Sequence, residues 1–272
     1  VSIIGEGRDV TILEANGNAR GLAYSGSGGN LANFQLRDFT LQNSNNTYGI
    51  DLISCDFFSV ENVRVTSCDQ GGIRFSRSQY FTTNNVRSDN NTGIGVAINS
   101  DATRNALYWT LFNVTSELNG GDGFDLAGGS DAHTFASMIN CLALTNTGKG
   151  YDLNSATISY ISCWSSGNTG DGFEINSGAT NARFVGCFSR NNTGEDYDIN
   201  IGSAATTDFV HFIGCDFGFS GTLVPHEEIT DTDGFVLADN WGGGSTRTKK
   251  VILRMKNTSG GSLAAGDVTI LK

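Results

Sequence analysis

The sequence predicts an all-β fold, a solenoid of stacked parallel strands, and three observations carry that prediction. A short motif recurs along the chain: Gly49-Ile50-Asp51-Leu52, Gly72-Ile73-Arg74-Phe75, Gly95-Val96-Ala97-Ile98, Gly123-Phe124-Asp125-Leu126, Gly150-Tyr151-Asp152-Leu153 and Gly172-Phe173-Glu174-Ile175. Asp196-Tyr197-Asp198-Ile199 reads as a seventh copy with aspartate in place of glycine, and successive copies are 23, 23, 28, 27, 22 and 24 residues apart. Each copy alternates apolar, variable, apolar, which is the period of a half-buried strand rather than of a helix. Four residues before each glycine stands Asn45, Cys68, Asn91, Asn119, Asn146, Asn168 or Asn192. Asparagine tolerates left-handed backbone at turns, and when stacked it hydrogen-bonds side chain to side chain along a solenoid axis.

Taken in order, residues 1 to 40 supply the first one or two rungs, with a clean alternation from Leu31 to Leu41. Registered rungs follow to about residue 200. In each, the two apolar columns of the glycine strand point inward. A second strand adds its own inward column nine residues before the glycine: Val63, Val86, Val114, Cys141, Cys163 and Cys187, continued by Cys215. The two longest spacings contain residues 100–105 and 128–133, which follow the same strand in neighbouring rungs and are expected to lie side by side as a lip, where solenoids place binding loops. A last rung runs from Phe209 to Phe217. The expected organisation is therefore a β-helix over 1–217 with about 8 to 9 rungs, an irregular connector over 218–245, and a small β-hairpin-like module over 246–272. That module is expected to cap the exposed sheet edge at the end of the solenoid, or to begin an assembly element.

Composition narrows the function. The 272 residues include 36 glycines and one proline, which fits short strands and tight turns. Seventeen basic against 28 acidic residues give a net charge of −11, a surface that repels nucleic acid and anionic membranes. No apolar run approaches the roughly 18 to 20 residues that span a bilayer, so membrane insertion is not expected. Four of the six cysteines occupy one inward column and read as a buried thiol stack; Cys55 and Cys68 lack zinc-type spacing, so no metal site is assigned. The threonines of sequons such as Asn45-Asn46-Thr47 sit beside the asparagine column and are explained by the turn.

Chemistry concentrates on the variable position of the glycine strand. There the chain presents Asp51, Arg74, Ala97, Asp125, Asp152, Glu174 and Asp198 on one outward face at about 4.8 Å per rung. Stacked carboxylates destabilise a sheet and raise one another's pKa. A second acidic set, Asp122, Asp171 and Glu195, lies just before the strand, with Lys149 in the same register. Carboxylates on adjacent rungs would stand about 5 Å apart, as in retaining glycosidases, and those two rungs apart about 9 to 10 Å, the outer limit for inverting ones. Asp152 with Glu174, and Asp122 with Asp171, are the catalytic candidates, set against the plainer reading of solvated acids on an outer face. Asp125, Asp198 and Lys149 on the strand face, with Asp131 and His133 on the lip, are the candidate substrate-binding residues. His211 and His226 read as structural or solvated. On the other sheet Leu142, Trp164 and Phe188 face outward and call for cover, from a loop of the same chain or from a subunit interface.

With roughly 24 residues per turn and an asparagine ladder, the pattern resembles the right-handed parallel β-helix of the pectate lyase, polygalacturonase and phage tailspike superfamily. Val1-Ser2-Ile3-Ile4-Gly5-Glu6-Gly7 with Thr11-Ile12-Leu13 resembles that superfamily's opening rung, which normally follows a capping segment, so the chain is expected to be a fragment. The C-terminal segment looks like small β modules found after phage tail solenoids. Gly121-Asp122-Gly123 and Gly170-Asp171-Gly172 resemble the polygalacturonase Gly-Asp-Asp motif, and Gly148-Lys149-Gly150 takes the register of its Gly-His-Gly motif. The Asp-Asp pair, that histidine and a downstream Arg-Ile-Lys are missing, so the polygalacturonase mechanism does not transfer. The resemblance implies a tailspike-like depolymerase acting on cell-surface polysaccharide, located in a virion tail or extracellularly and assembled as a homotrimer. A non-catalytic shaft of the same fold, and a Ca-dependent lyase or epimerase, are the alternatives it leaves open, calcium being the one cofactor implied.

Overall fold

The computed structural model describes residues 2–217 except 16–20, 26–30, 102–103, 128–134, 155–156, 177–180, 195–198 and 202–210, together with 236–238 and 241–242. Each rung has three strands, on faces A, B and C in chain order. In the early rungs faces A and B are formed by single bent strands, Leu31–Gln42, Cys55–Thr66, Gln79–Asp89 and Trp109–Glu117. Later rungs split them into pairs: Ala136–Ile139 with Leu142–Leu144, Ile158–Ile161 with Trp164–Ser166, Arg183–Val185 with Phe188–Arg190, and His211–Ile213 with Asp216–Phe217. Face C is an eight-stranded sheet from Leu22–Ser25 to Ile199–Ile201. Every named strand pairing is parallel, each strand against its counterpart one rung away, which is a solenoid.

Two short strands, Ile3–Ile4 and Ile12–Glu14, pair with Leu31–Gln42, so the opening rung is present. Within the segment expected to be an irregular connector, Val236–Ala238 and Trp241–Gly242 pair with His211–Ile213 and Asp216–Phe217 and add a further rung. The C-terminal module over 246–272 lies outside the described residues.

The inward columns are buried as the alternation requires. Equivalent aromatic residues on successive rungs stack at nearly the rung spacing: Phe34, Phe58 and Phe81 at 4.9 Å per step, and Phe124, Tyr151 and Phe173 at 4.9 and 4.4 Å. Each such ring contributes about 1.5–3 kcal/mol of burial. All six cysteines are buried thiols, and the Cys141–Cys163–Cys187–Cys215 column is part of this core.

Turn chemistry explains the rest of the repeat. From Asn91 through Asn119, Asn146 and Asn168 to Asn192, each side-chain amide donates to the next Oδ1 at 2.8 to 3.0 Å, and that same oxygen accepts the preceding asparagine's backbone N–H. The motif glycine exists because of this ladder: a Cβ on Gly95 would lie 1.8 Å from Ser116 Oγ, and one on Gly150 2.0 Å from Ser165 Oγ. Where face A bends into face B, a second set of left-handed residues carries hydrogen bonds from Asn62 to Asp38, Asn85 to Asn62 and Asn140 to Asn113. Where face C turns into face A, a third left-handed column reads Asn33, Phe57, Tyr80, Tyr108, Phe135, Thr157 and Asn181, with φ between 52° and 57°. Aromatic residues in that conformation are strained by about 1–2 kcal/mol each.

Candidate functional site

Face C holds the outward row in register: Asp51 beside Arg74, then Ala97, Asp125, Asp152 and Glu174. One member of the expected row is displaced. Glu174 is registered with Asn200, because the strand Ile199–Ile201 pairs two residues later than the motif spacing implied. A strand of period two accepts a slip of two residues without turning a side chain to the other face, so alternation alone did not fix this register. Asp198 itself, with Glu195, lies outside the described residues, as do Asp131, His133 and His226.

The row is not one uniform stack of repelling acids. Arg74 donates two hydrogen bonds to Asp51, at 2.8 and 2.7 Å, and lies over the Tyr48 ring. Two rungs of alanine and aspartate later, Lys149 reaches up from the turn and binds both Asp152, at 3.0 Å, and Glu174. Burial works against that ammonium, but its bonds to Glu174 and Asp152 outweigh burial and hold it well above the ordinary lysine value. Asn176 donates to the other Asp152 oxygen at 2.5 Å, so both oxygens of Asp152 are engaged. Burial raises the Glu174 carboxyl, with Lys149 offsetting part of the effect.

Asp125 differs from its neighbours. Burial, then the charges of Asp152 and Asp122, push its carboxyl up to about 7, and Lys149 offsets only part of this. The site thus places a carboxyl that holds its proton up to about pH 7 directly beside Asp152, whose two oxygens are each engaged by a donor. Environments that separate two adjacent acids in this way are how glycosidases assign acid and partner roles.

Asp122 and Asp171, expected as a second pair, stand two rungs apart with Lys149 in the rung between them. Asp122 Oδ1 accepts the Lys149 backbone N–H at 2.6 Å and crowds Gly148, where a Cβ would lie 2.2 Å away; burial raises this carboxyl. Asp171 is buried and repeats the arrangement against Gly194. Asp122 ties one turn to the next and also adds to the field on Asp125. Among the described residues no three His, Cys, Asp or Glu side chains converge as metal ligands. Of the lip, Ser100, Asp101 and 104–105 are described: Asp101 pairs with Arg77 at 3.3 Å, and Arg104 with Asp56.

One feature was not anticipated. Phe57, Tyr80, Tyr108 and Phe135 form an exposed stack at the corner between faces C and A. Its signal was available in the sequence, since the four aromatics repeat with the spacings of the rungs themselves. The outward residues Leu142, Trp164 and Phe188 are joined across the bend by Phe112, Ile139, Ile161 and Val185 in one partly exposed apolar patch, with Trp164 edge-on to Phe188 at 4.6 Å. His211 lies on face A beside Arg183, away from the acidic row.

Stacked parallel strands, three to a rung, with an internal asparagine ladder define the chain as a parallel β-helix. Among solved structures it is similar to the ORF18 protein of Geobacillus virus E2, with a TM-score of 0.66 and 15% identity over 89% of this chain and 48% of that one. It is also similar to the A-module of Azotobacter vinelandii mannuronan C-5 epimerase AlgE4, with a TM-score of 0.64 and 16% identity over 89% of this chain and 79% of the other. The pectate lyase Pel9A matches with a TM-score of 0.55 and 15% identity, covering 91% of this chain and 72% of the lyase. The chain spans about half the length of the Geobacillus virus protein. No protein-family model matches the chain, and no curated protein is significantly similar to it in sequence.

Proposed function

We propose that this β-helix acts on a polysaccharide and that its chemistry is glycoside hydrolysis at Asp125 and Asp152. The observation that carries the reading is the Asp125 carboxyl, raised to about 7 and registered beside Asp152. Asp125 is the proton donor to the leaving oxygen; Asp152, fixed by Lys149 and Asn176, is the partner carboxylate. One rung of separation, about 4.8 Å, is the spacing of a retaining mechanism. Glu174 shares Lys149 with Asp152 and serves to orient the pair rather than to donate a proton. The fold's occurrence in proteins named as epimerase, pectate lyase and phage tailspike supports a glycan as the polymer and a virion-associated or extracellular setting. The apolar patch around Trp164 and Phe188 is read as a contact between subunits of a homotrimer.

The test is release of reducing ends from purified bacterial capsular and O-antigen polysaccharides by the wild type, Asp125→Asn and Asp152→Asn. Loss of activity in both variants supports the assignment. Activity surviving in both removes it and moves the chain to the non-catalytic shaft, for which the Asp51–Arg74 pair already illustrates a purely structural use of the acidic row.

A further inference from the structure

At the corner between faces C and A the rings of Phe57, Tyr80, Tyr108 and Phe135 stack along the solenoid axis, with centroids 4.7, 4.8 and 5.1 Å apart and planes within 5° of parallel. Stacking decides which surfaces are left for a ligand. Tyr80 and Tyr108 are covered on both faces and are 44% and 43% exposed, whereas the end rings Phe57 and Phe135 are 54% and 67% exposed. The register carries the column upstream to Asn33 and downstream to Thr157 and Asn181. Beyond Phe135, therefore, no fifth ring continues the stack among the described residues: the next rung carries a threonine, and the one after it an asparagine.

We propose that the open face of Phe135 is a glycan subsite that stacks one pyranose ring, with Thr157 and Asn181 as hydrogen-bonding partners for its rim. This rests on the polysaccharide reading above and specifies where the chain lies. A pyranose has an apolar C–H face and a polar edge, and the electron-rich face of an aromatic ring attracts polarised C–H groups. An isolated ring face bordered by a hydroxyl and an amide matches that amphipathy. A protein partner is better served by a broad apolar patch such as the one around Trp164.

Position supports the same occupant. Thr157 is in the rung of Asp152, five residues further along the chain, a reach of at most about 18 Å when extended. Three or four sugars cover that span, so a glycan laid across face C places one ring on Phe135 while its scissile bond lies at Asp125 and Asp152. The sugar is neutral: Lys149 is already bonded to Asp152 and Glu174, and the remaining charges along this part of the row are carboxylates that repel a polyuronate.

Calorimetric titration of the full chain with cellohexaose, maltohexaose, mannohexaose and chitohexaose, with hexamannuronate as the charged control, tests the subsite. Phe135→Asn is the variant of choice, because the same left-handed column already holds Asn33 and Asn181. At least one neutral hexasaccharide should bind, more tightly than the mannuronate, and Phe135→Asn should weaken it at least tenfold with no loss of melting temperature. Phe57→Asn, at the far end of the stack, should leave binding unchanged. Failure of all four neutral probes to bind, equal binding by Phe135→Asn, or conversion of an oligomer to a monomer by Phe135→Asn would overturn the proposal. Asp125→Asn separates the two readings: a variant that binds like the wild type but no longer cleaves upholds the hydrolase assignment whatever Phe135 does, and one that still cleaves removes that assignment and leaves the subsite standing.

Discussion

Replacing Asp125 with asparagine should make the protein more stable at alkaline pH, the reverse of what deleting a structural acid does. An unfolded chain releases this proton near the ordinary aspartate value of 3.8, while the folded protein keeps it to about 7. Across that interval the folded state binds the extra proton, so folding stability falls as pH rises, and the whole penalty is present above pH 7. Three pH units at about 1.36 kcal/mol each set an upper limit of about 4 kcal/mol. Asp125 is only partly shielded from solvent, which reduces the figure to about 2 kcal/mol. Asparagine has nearly the same shape and no charge at any pH, so it removes the penalty without opening a cavity.

Thermal melting by circular dichroism from pH 4 to pH 8 measures the effect. The two proteins should melt together at pH 4 and diverge as pH rises, with the variant higher by roughly 4–8 °C at pH 8. Some pH dependence remains in the variant, because burial also raises Asp122 and Glu174; the difference between the curves isolates Asp125. Cleavage should respond in the opposite sense, with the wild-type rate falling as pH rises through about 7 and the variant slower by about 10²- to 10⁴-fold. A variant that melts below the wild type at pH 8, or parallel to it across the range, would show that Asp125 is a stabilising surface acid and refute the argument.

Other consequences follow from the interior. Asn146→Ala should destabilise by about 3 kcal/mol or more in denaturant titration, since it strands the backbone and side-chain N–H groups of Asn119 and the Ser116 carbonyl in a buried ladder; a change below 1 kcal/mol would mean that water replaces the amide. Tyr160→Phe should stabilise by about 1 kcal/mol, because the Tyr160 hydroxyl is buried with no hydrogen-bond partner among the described residues; destabilisation would reveal a partner. The thiols should resist iodoacetamide at pH 8 in the folded state and react fully on unfolding, because burial pushes Cys55 up to about 12 and Cys163 and Cys187 well above the ordinary thiol value. Rapid labelling of more than one cysteine in the native protein would contradict the closed core.

Reading the chain from its letters works best where one steric constraint repeats. Glycine at 95, 123 and 150 and asparagine at 119, 146 and 168 are dictated by the same crowded turn, so the period, the parallel pairing and the inward columns are all legible without coordinates. The acidic row was legible as a row, yet its electrostatics were not, because these depend on which neighbour is neutralised. Lys149 reaches across a turn to Asp152 and Glu174 and leaves Asp125 as the half-buried acid with no cation bonded to it among the described residues, a distinction that no spacing records. The aromatic corner illustrates the opposite difficulty. Its period was in plain view, but one aromatic per rung just ahead of an inward column reads as ordinary core until the left-handed backbone at Phe57, Tyr80, Tyr108 and Phe135 turns those rings outward. The same corner is occupied by asparagine at both of its ends, where the conformation is easily adopted, and by strained aromatics only across the rungs that lead to Asp125. Aromatic residues held left-handed at one corner of four successive rungs, the last of them the rung of Asp125, are the pattern expected when surface chemistry, rather than folding, chose the residues.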